Sequence, residues 1–211
     1  MNDPTLTLYT DSSPNGFKIT IALEELGLPY ALKHVHIDQG EHHDPAFLQL
    51  NPHARIPVLV DQHSGITLFE SAAILLYLAE KTGRLLPSDP TSRWAAIKWL
   101  MFHASSMGPI LGQRVHFELF EHPPHQSAIE RYRHLTEETF ATLNDQLEHN
   151  RWLAGQEYSI ADIATFGWMH IAHIIDFDFS RFKHLNAWYE RMELRPAVQR
   201  GISLPLPATG P

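Results

Sequence analysis

RIPVLVDQHSGITLFESAAILLYLAEKTG, residues 55–83, is the stretch from which the fold follows. Two apolar runs, RIPVLVD (55–61) and ITLFE (66–70), flank a Ser64-Gly65 turn and read as an antiparallel hairpin. SAAILLYLAEKTG (71–83) then reads as a helix, with Ser71 as N-cap and Gly83 as C-terminal stop. Pro57 opens the first strand, where it cannot donate to a ladder. The Ile56-Pro57 bond is therefore either a cis peptide that exposes the main chain of Ile56 or a trans bond at a strand edge.

Upstream, TLTLYT (5–10) reads as a strand and SSPNGFKITIALEELG (12–27) as the mouth and body of a helix. Ile19, Ala22, Leu23 and Leu26 share one face of that helix, and Gly27 offers a stop. PYALKHVHI (29–37) alternates like a second strand, and DPAFLQLNP (44–52) reads as a short irregular helix ended by Asn51-Pro52. The order βαβ, α, ββα makes residues 1–83 a small α/β domain.

Downstream the strands stop. RLLPSDPTS (84–92) reads as a linker, and residues 93–211 as an all-helical domain. Pro109 should kink or break its first long helix. HPPH (122–125) separates that helix from the next, where Ile129, Tyr132, Phe140, Leu143 and Leu147 keep helical spacing. YSIADIATFGWMHIAHI (158–174) is apolar nearly all round, as a central helix should be. Ser159 and Asp162 form a capping box at its start, a folding device. The last stretch, LPLPATGP (204–211), should be irregular.

The chain has 211 residues, 44% hydrophobic and 19% charged, with a net charge of -8. That balance argues against a nucleic-acid surface or an anionic membrane as partner. No apolar run reaches a transmembrane length, and MNDPTLTLYT lacks the pattern of a secretory signal, so a cytoplasmic location is expected. Cysteine is absent. Sulfur chemistry would need a thiol carried in by a ligand.

Two clusters invite such a ligand. Glu70 ends a strand and Ser71 begins a helix, so a carboxylate stands beside free N–H groups and a hydroxyl. Together they suit the ammonium and carboxylate of an amino-acid head group; the plainer alternative is a cap and a first-turn charge. Ser12, Ser13 and Asn15 stand at the mouth of the first helix with no sulfur in reach.

ARIPVLVD, LFESAAILLYLAEKTG and SIADIA, with the strand order and the helical second half, resemble the cytosolic glutathione transferases over most of the chain. SPNGFKI, GPILGQ and AIERYR are most similar to the bacterial Nu-class, which is associated with glutathione-dependent disulfide-bond reduction. The resemblance implies an α/β thioredoxin-like N-terminal domain with a cis proline, an all-α C-terminal domain (the glutathione transferase fold) and a homodimer. It implies glutathione as co-substrate, no metal, and a small disulfide or electrophile as partner. Glu70 and Ser71 would hold the γ-glutamyl end, Ile56 before Pro57 the cysteinyl backbone, and His42 would stand at the glycyl carboxylate. His103 and Arg131 would help bind glutathione, Arg131 with a second ligand molecule or across the dimer. Ser13 and Asn15 would be the catalytic pair beside the sulfur, Ser13 standing where relatives carry threonine.

A cysteinyl thiol near pKa 8.5 must fall by about 2 units, roughly 2.7 kcal/mol, to be a thiolate near neutrality. A helix mouth contributes about 0.3–1 kcal/mol and a charge-assisted hydrogen bond about 1.5–3 kcal/mol. One or two donors from Ser13 and Asn15 would close the gap. Tyr9 is a rival donor, better placed in the core. The alternatives are a conventional transferase conjugating electrophiles through Ser12, Ser13 or Tyr9, and a non-catalytic binding module. His34 with His36, and His170 with His173, share faces but lack a third ligand for zinc. Phe117, Phe120, Trp168 and the tail are candidates to line a second-substrate pocket, or are simply core and surface.

Overall fold

The computed structural model describes residues 4–205. The chain forms two compact units: residues up to Arg84 with those from Glu193 onward, and Leu85–Met192.

The first unit holds a four-stranded sheet of β1 (Leu6–Thr10), β2 (Tyr30–His34), β3 (Val58–Asp61) and β4 (Ile66–Phe69) in the order β2-β1-β3-β4. β1 runs parallel to β2 and antiparallel to β3, and β3–β4 is an antiparallel hairpin. The two-residue period of a strand puts Leu6 and Leu8 on one face and Thr7 and Tyr9 on the other. Leu8 is registered against Leu59, and Tyr9 against Val58. Tyr9 thus joins the small cluster of Val35, Phe47 and Val58.

β2 is shorter than the alternation in 29–37 predicts. Beyond Val35, whose N–H still reaches Thr10, side chains take the backbone donors. Glu41 accepts from the His36 N–H at 2.7 Å and Asp11 from the Ile37 N–H at 3.1 Å. The chain therefore leaves the sheet and turns through Ile37–Gln39 and Glu41–His43 into α2 (Pro45–Leu48).

α1 (Pro14–Leu26) and α3 (Ser71–Thr82) pack on each other, and α3 also packs on β3 and β4. Both helices end on a left-handed glycine, Gly27 at φ 65° and Gly83 at φ 64°. The hairpin is held by buried Asp61, which accepts from Tyr77, from Lys81 at 2.7 Å and from the N–H of His63 at 3.0 Å. Burial alone would push the Asp61 carboxyl up. The Lys81 and Tyr77 donors outweigh it and hold the group well below the usual carboxylate range.

α9 (Pro196–Ile202) lies against α1 in this unit, so the last described helix is not part of the helical unit to which residues 93–211 were allotted. Thr20 Oγ1 donates to the Gly201 carbonyl at 2.7 Å, and Arg195 grips Glu25 at 2.6 Å. The rest of LPLPATGP, beyond Pro205, lies outside the described residues.

The second unit contains α4 (Pro90–Phe102), α5 (Gly108–Val115), α6 (Gln126–His149), α7 (Ile160–Ile174) and nearly all of α8 (Lys183–Glu193). α4 starts earlier than Arg93 because Asp89 caps it through the Ser92 N–H at 2.9 Å and Pro90 suits the first helical position. Pro109 neither breaks nor ends the path. A wide π turn, His103–Met107, joins α4 to α5 with helical dihedrals at both junctions, so the missing N–H and the bulk of the ring are absorbed in a loosened turn.

The capping box of α7 forms. Ser159 Oγ accepts from the Ala161 N–H at 3.3 Å, and Asp162 accepts from the Ser159 N–H at 3.0 Å. Asp162 also accepts from the Leu153 N–H and from Trp188 Nε1, both at 2.9 Å. Burial pushes its carboxyl up to about 6 in spite of these donors. Among the described residues no helix is long and apolar enough to cross a membrane.

Candidate active site

At the mouth of α1, Ser13 is the N-cap. Its Oγ accepts from the Gly16 N–H at 3.0 Å, and its backbone is extended. Accepting with a lone pair leaves the hydroxyl hydrogen available to a ligand. Gly16 is required at this bend. A Cβ there would sit 2.3 Å from the Asp11 carbonyl and 2.4 Å from Thr10 Oγ1. α1 can therefore start immediately beside the end of β1.

Ser13 and Asn15 line a cavity of about 400 Å³ together with His42, His43, His53, Arg55 and Ile56. The Ile56-Pro57 peptide is cis, and Pro57 is buried just behind the lining. Asn51 shapes the approach to it. Its side chain is 1% exposed, donates to the Arg55 carbonyl at 2.7 Å and accepts from the His53 N–H at 2.9 Å. His42 lies tilted against His43 with ring centroids 4.1 Å apart, and its Nδ1 is buried without a hydrogen-bond partner.

Glu70, not Ser71, is the N-cap of α3, and Ser71 is the first helical residue. Glu70 takes φ 71° and ψ 108°, outside the helical region, a positive-φ conformation that costs a residue with a Cβ about 1–3 kcal/mol. The Glu70 carbonyl still accepts the first helical bond, from Ile74 at 3.0 Å.

One buried side chain connects the two clusters. Lys18, 2% exposed, places Nζ 2.7 Å from Asn15 Oδ1 and 3.1 Å from Ser71 Oγ. Burial pulls its pKa down to about 7, while the charge of Glu70 acts to raise it. Sequence reasoning passed over Lys18, Asn51 and Arg55. The signal for Lys18 was available, since it is the only charged residue between Pro14 and Leu23.

Tyr9 packs edge-on against Phe47, with centroids 6.5 Å apart, and lines a different cavity with Lys33 and His34. It does not line the cavity of Ser13 and Asn15. His34 lies tilted against His36, with ring centroids 3.9 Å apart, and meets Asp11 at 2.8 Å. Among the described residues no three metal-ligating side chains converge.

His103 and Arg131 belong to the second unit. His103 is 1% exposed in the turn after α4, and Arg131 is exposed on α6. Of the aromatic candidates, Phe117 stacks on Tyr132 at 5.6 Å and Phe120 is largely exposed. The Trp168 indole lies so close to Gly112 that a Cβ there would come within 3.2 Å of it. His170 stacks on Phe166 and His173 lies beside Tyr189, each within an aromatic layer.

Residues 4–80 match the glutathione S-transferase N-terminal domain, and residues 110–196 its C-terminal domain. The chain belongs to the glutathione S-transferase family. It is 39% identical to the disulfide-bond oxidoreductase YfcG of Escherichia coli, over 93% of this chain and 94% of that protein. It superposes with a TM-score of 0.90 on a glutathione transferase from Burkholderia graminis, 36% identical, solved with two glutathione molecules per subunit. That match covers 96% of this chain and 89% of the other. A Pseudomonas putida glutathione transferase with one glutathione disulfide per subunit gives 0.89 at 35% identity, covering 96% and 92%. The glutathione transferase fold, an α/β sheet domain followed by a helical domain, is therefore the fold of this chain.

Proposed function

We propose that this protein is a glutathione-dependent disulfide reductase. The observation that carries the reading is the cavity at the α1 mouth, where Ser13 and Asn15 meet Ile56 in a chain without a cysteine. The reactive sulfur is then the ligand's. The relatives named for disulfide-bond chemistry, and those crystallised with glutathione or its disulfide, support the same assignment.

In this reading the γ-glutamyl ammonium meets Glu70 and its carboxylate meets Ser71 and the α3 N-terminus. The main chain of Ile56 holds the cysteinyl unit, and His42 with its unpartnered Nδ1 stands toward the glycyl end. Ser13 and Asn15 stabilise the thiolate. Two charge-assisted hydrogen bonds at about 1.5–3 kcal/mol each exceed the roughly 2.7 kcal/mol needed to bring the thiol from about 8.5 to near 6.5.

The thiolate attacks a substrate disulfide. One sulfur–sulfur bond forms, giving a mixed disulfide, and one breaks, releasing a substrate thiolate. A second glutathione thiolate attacks the glutathione sulfur of that intermediate, so glutathione disulfide leaves with the second substrate thiolate. The substrate gains two electrons and two glutathiones lose them. A homodimer and a place for His103 and Arg131 at the bound ligand are part of the reading; sedimentation and single alanine substitutions test them.

The deciding experiment is calorimetry with glutathione, followed by rates with a small dialkyl disulfide and with a chloronitrobenzene. Binding and a faster disulfide reaction are expected. Absence of binding overturns the proposal, and a dominant conjugation rate makes the protein a conventional transferase.

A further inference from the structure

Asn15 and Ser71 can each either donate or accept a hydrogen bond, so neither side chain is by nature a binder of anions. A carboxamide that turned its oxygen to a thiolate would repel it. Something must orient both groups. Lys18 Nζ contacts Asn15 Oδ1 at 2.7 Å and Ser71 Oγ at 3.1 Å, from a side chain only 2% exposed.

We propose that Lys18 is the positioning residue of the glutathione site, donating to both atoms and so leaving Asn15 and Ser71 to present hydrogens to an anionic γ-glutamyl thiol. An amine has hydrogens and, when charged, no lone pair. Oδ1 of Asn15 must therefore face Lys18, and Nδ2 with its two hydrogens is left for the ligand. The lone pair of Ser71 Oγ is likewise filled, which frees its hydroxyl hydrogen. The neutral amine still has hydrogens for both partners, but its lone pair would also accept from them, so it is the charged form that enforces the orientation. The two groups lie 56 residues apart in sequence, at the openings of α1 and α3, and they serve different parts of the expected ligand, the cysteinyl sulfur and the γ-glutamyl end. Gly16 gives Ser13 the same polarity from the other side, since its N–H fills the Ser13 lone pair. All three hydroxyl or amide groups are thus set as donors by protein hydrogens.

The inference rests on the glutathione reading above, and the experiment separates the two. Wild-type protein is first titrated with glutathione and with S-methylglutathione, which has no ionisable thiol. Lys18→Met, nearly isosteric and without a donor, is then compared. The pKa of bound glutathione thiol, read from thiolate absorbance, should rise by about 1 unit. S-methylglutathione should bind about tenfold more weakly. Disulfide reduction should be slowed about tenfold near pH 6.5 and recover as pH rises, because hydroxide then supplies the thiolate that the site no longer stabilises.

Wild type that binds no glutathione removes the functional reading itself. A folded Lys18→Met protein with weaker binding but an unchanged thiol pKa and pH profile makes Lys18 a packing residue and overturns this inference alone. Should the variant not fold, the wild-type protein still decides. The Asn15 side-chain amide resonance, identified by its loss in Asn15→Ala, should shift and exchange more slowly with water when glutathione binds. An unmoved resonance overturns the proposal.

Discussion

Asn51 Nδ2 donates to the Arg55 carbonyl at 2.7 Å, while its Oδ1 takes the His53 N–H at 2.9 Å. One buried amide thereby folds the strip of chain that delivers Ala54, Arg55 and Ile56 to the cavity wall. Ala54 is held at φ 54° within it. A buried side chain spent on loop shape marks a loop whose conformation matters more than its stability.

Asn51→Ala should therefore cost about 2–3 kcal/mol, because it strands a buried carbonyl and an N–H. Urea midpoints measure the loss. Glutathione affinity, by calorimetry on the folded variant, should drop as well, since Ile56 loses its brace.

Glu70→Gly should separate stability from binding. Glycine, without a Cβ, relieves part of the strain at φ 71° and ψ 108°, so unfolding free energy should hold or rise by up to about 1 kcal/mol. Glutathione binding should fall sharply with the lost carboxylate. Binding that survives intact would refute the assignment of the ligand ammonium to Glu70.

Asn15→Ala should raise the pKa of bound thiol by about 1 unit while leaving the helix cap in place. Ser13→Ala should raise it too and also cost about 1 kcal/mol of stability, because the Gly16 N–H loses its partner. Ser13→Thr should retain both functions. Thiolate absorbance and thermal unfolding, run on the same samples, read the two effects.

Gly201→Ala should pry α9 from α1. The added methyl would lie 2.6 Å from Ile21 Cγ1 and 2.7 Å from its backbone, where neither helix can yield cheaply. A loss of about 1–3 kcal/mol is expected in denaturant unfolding. Thr20→Val, which removes the 2.7 Å bond to the Gly201 carbonyl together with the longer contacts to the Phe17 and Gly16 carbonyls within α1, should cost about 1 kcal/mol.

Asp162 gives a pH signature. Its folded pKa near 6 stands above the unfolded value of about 3.9, so the folded chain keeps a proton that the unfolded chain releases. Stability from this group is complete below about pH 4, declines as pH rises to about 6 and is level above. Asp162→Asn lacks that titration, so its deficit against wild type should be larger near pH 4 than near pH 7. Asp162→Ala should cost at least about 3 kcal/mol by stranding Leu153, Ser159 and Trp188 donors.

Features governed by a few neighbouring residues could be read directly. Gly27 and Gly83 stop their helices because a left-handed turn is cheap only without a Cβ. Ser159 and Asp162 cap α7 because they stand three positions apart, the spacing at which the two groups meet. The hairpin 55–70, its helix and the pair Ser13–Asn15 belong to the same kind of evidence. Their energies are settled within one or two turns of chain.

What escaped such reading depends on partners distant in sequence. Nothing local says that Lys18 is covered, or that its amine finds Ser71 more than fifty residues on. The β2 strand ends early because Asp11 and Glu41 capture its donors, and α9 returns to α1 because Gly201 fits Ile21. Burial and the polarity of hydrogen bonds are properties of the assembled core. They raise or lower a pKa and turn an amide one way or the other, and no rule of spacing carries that information.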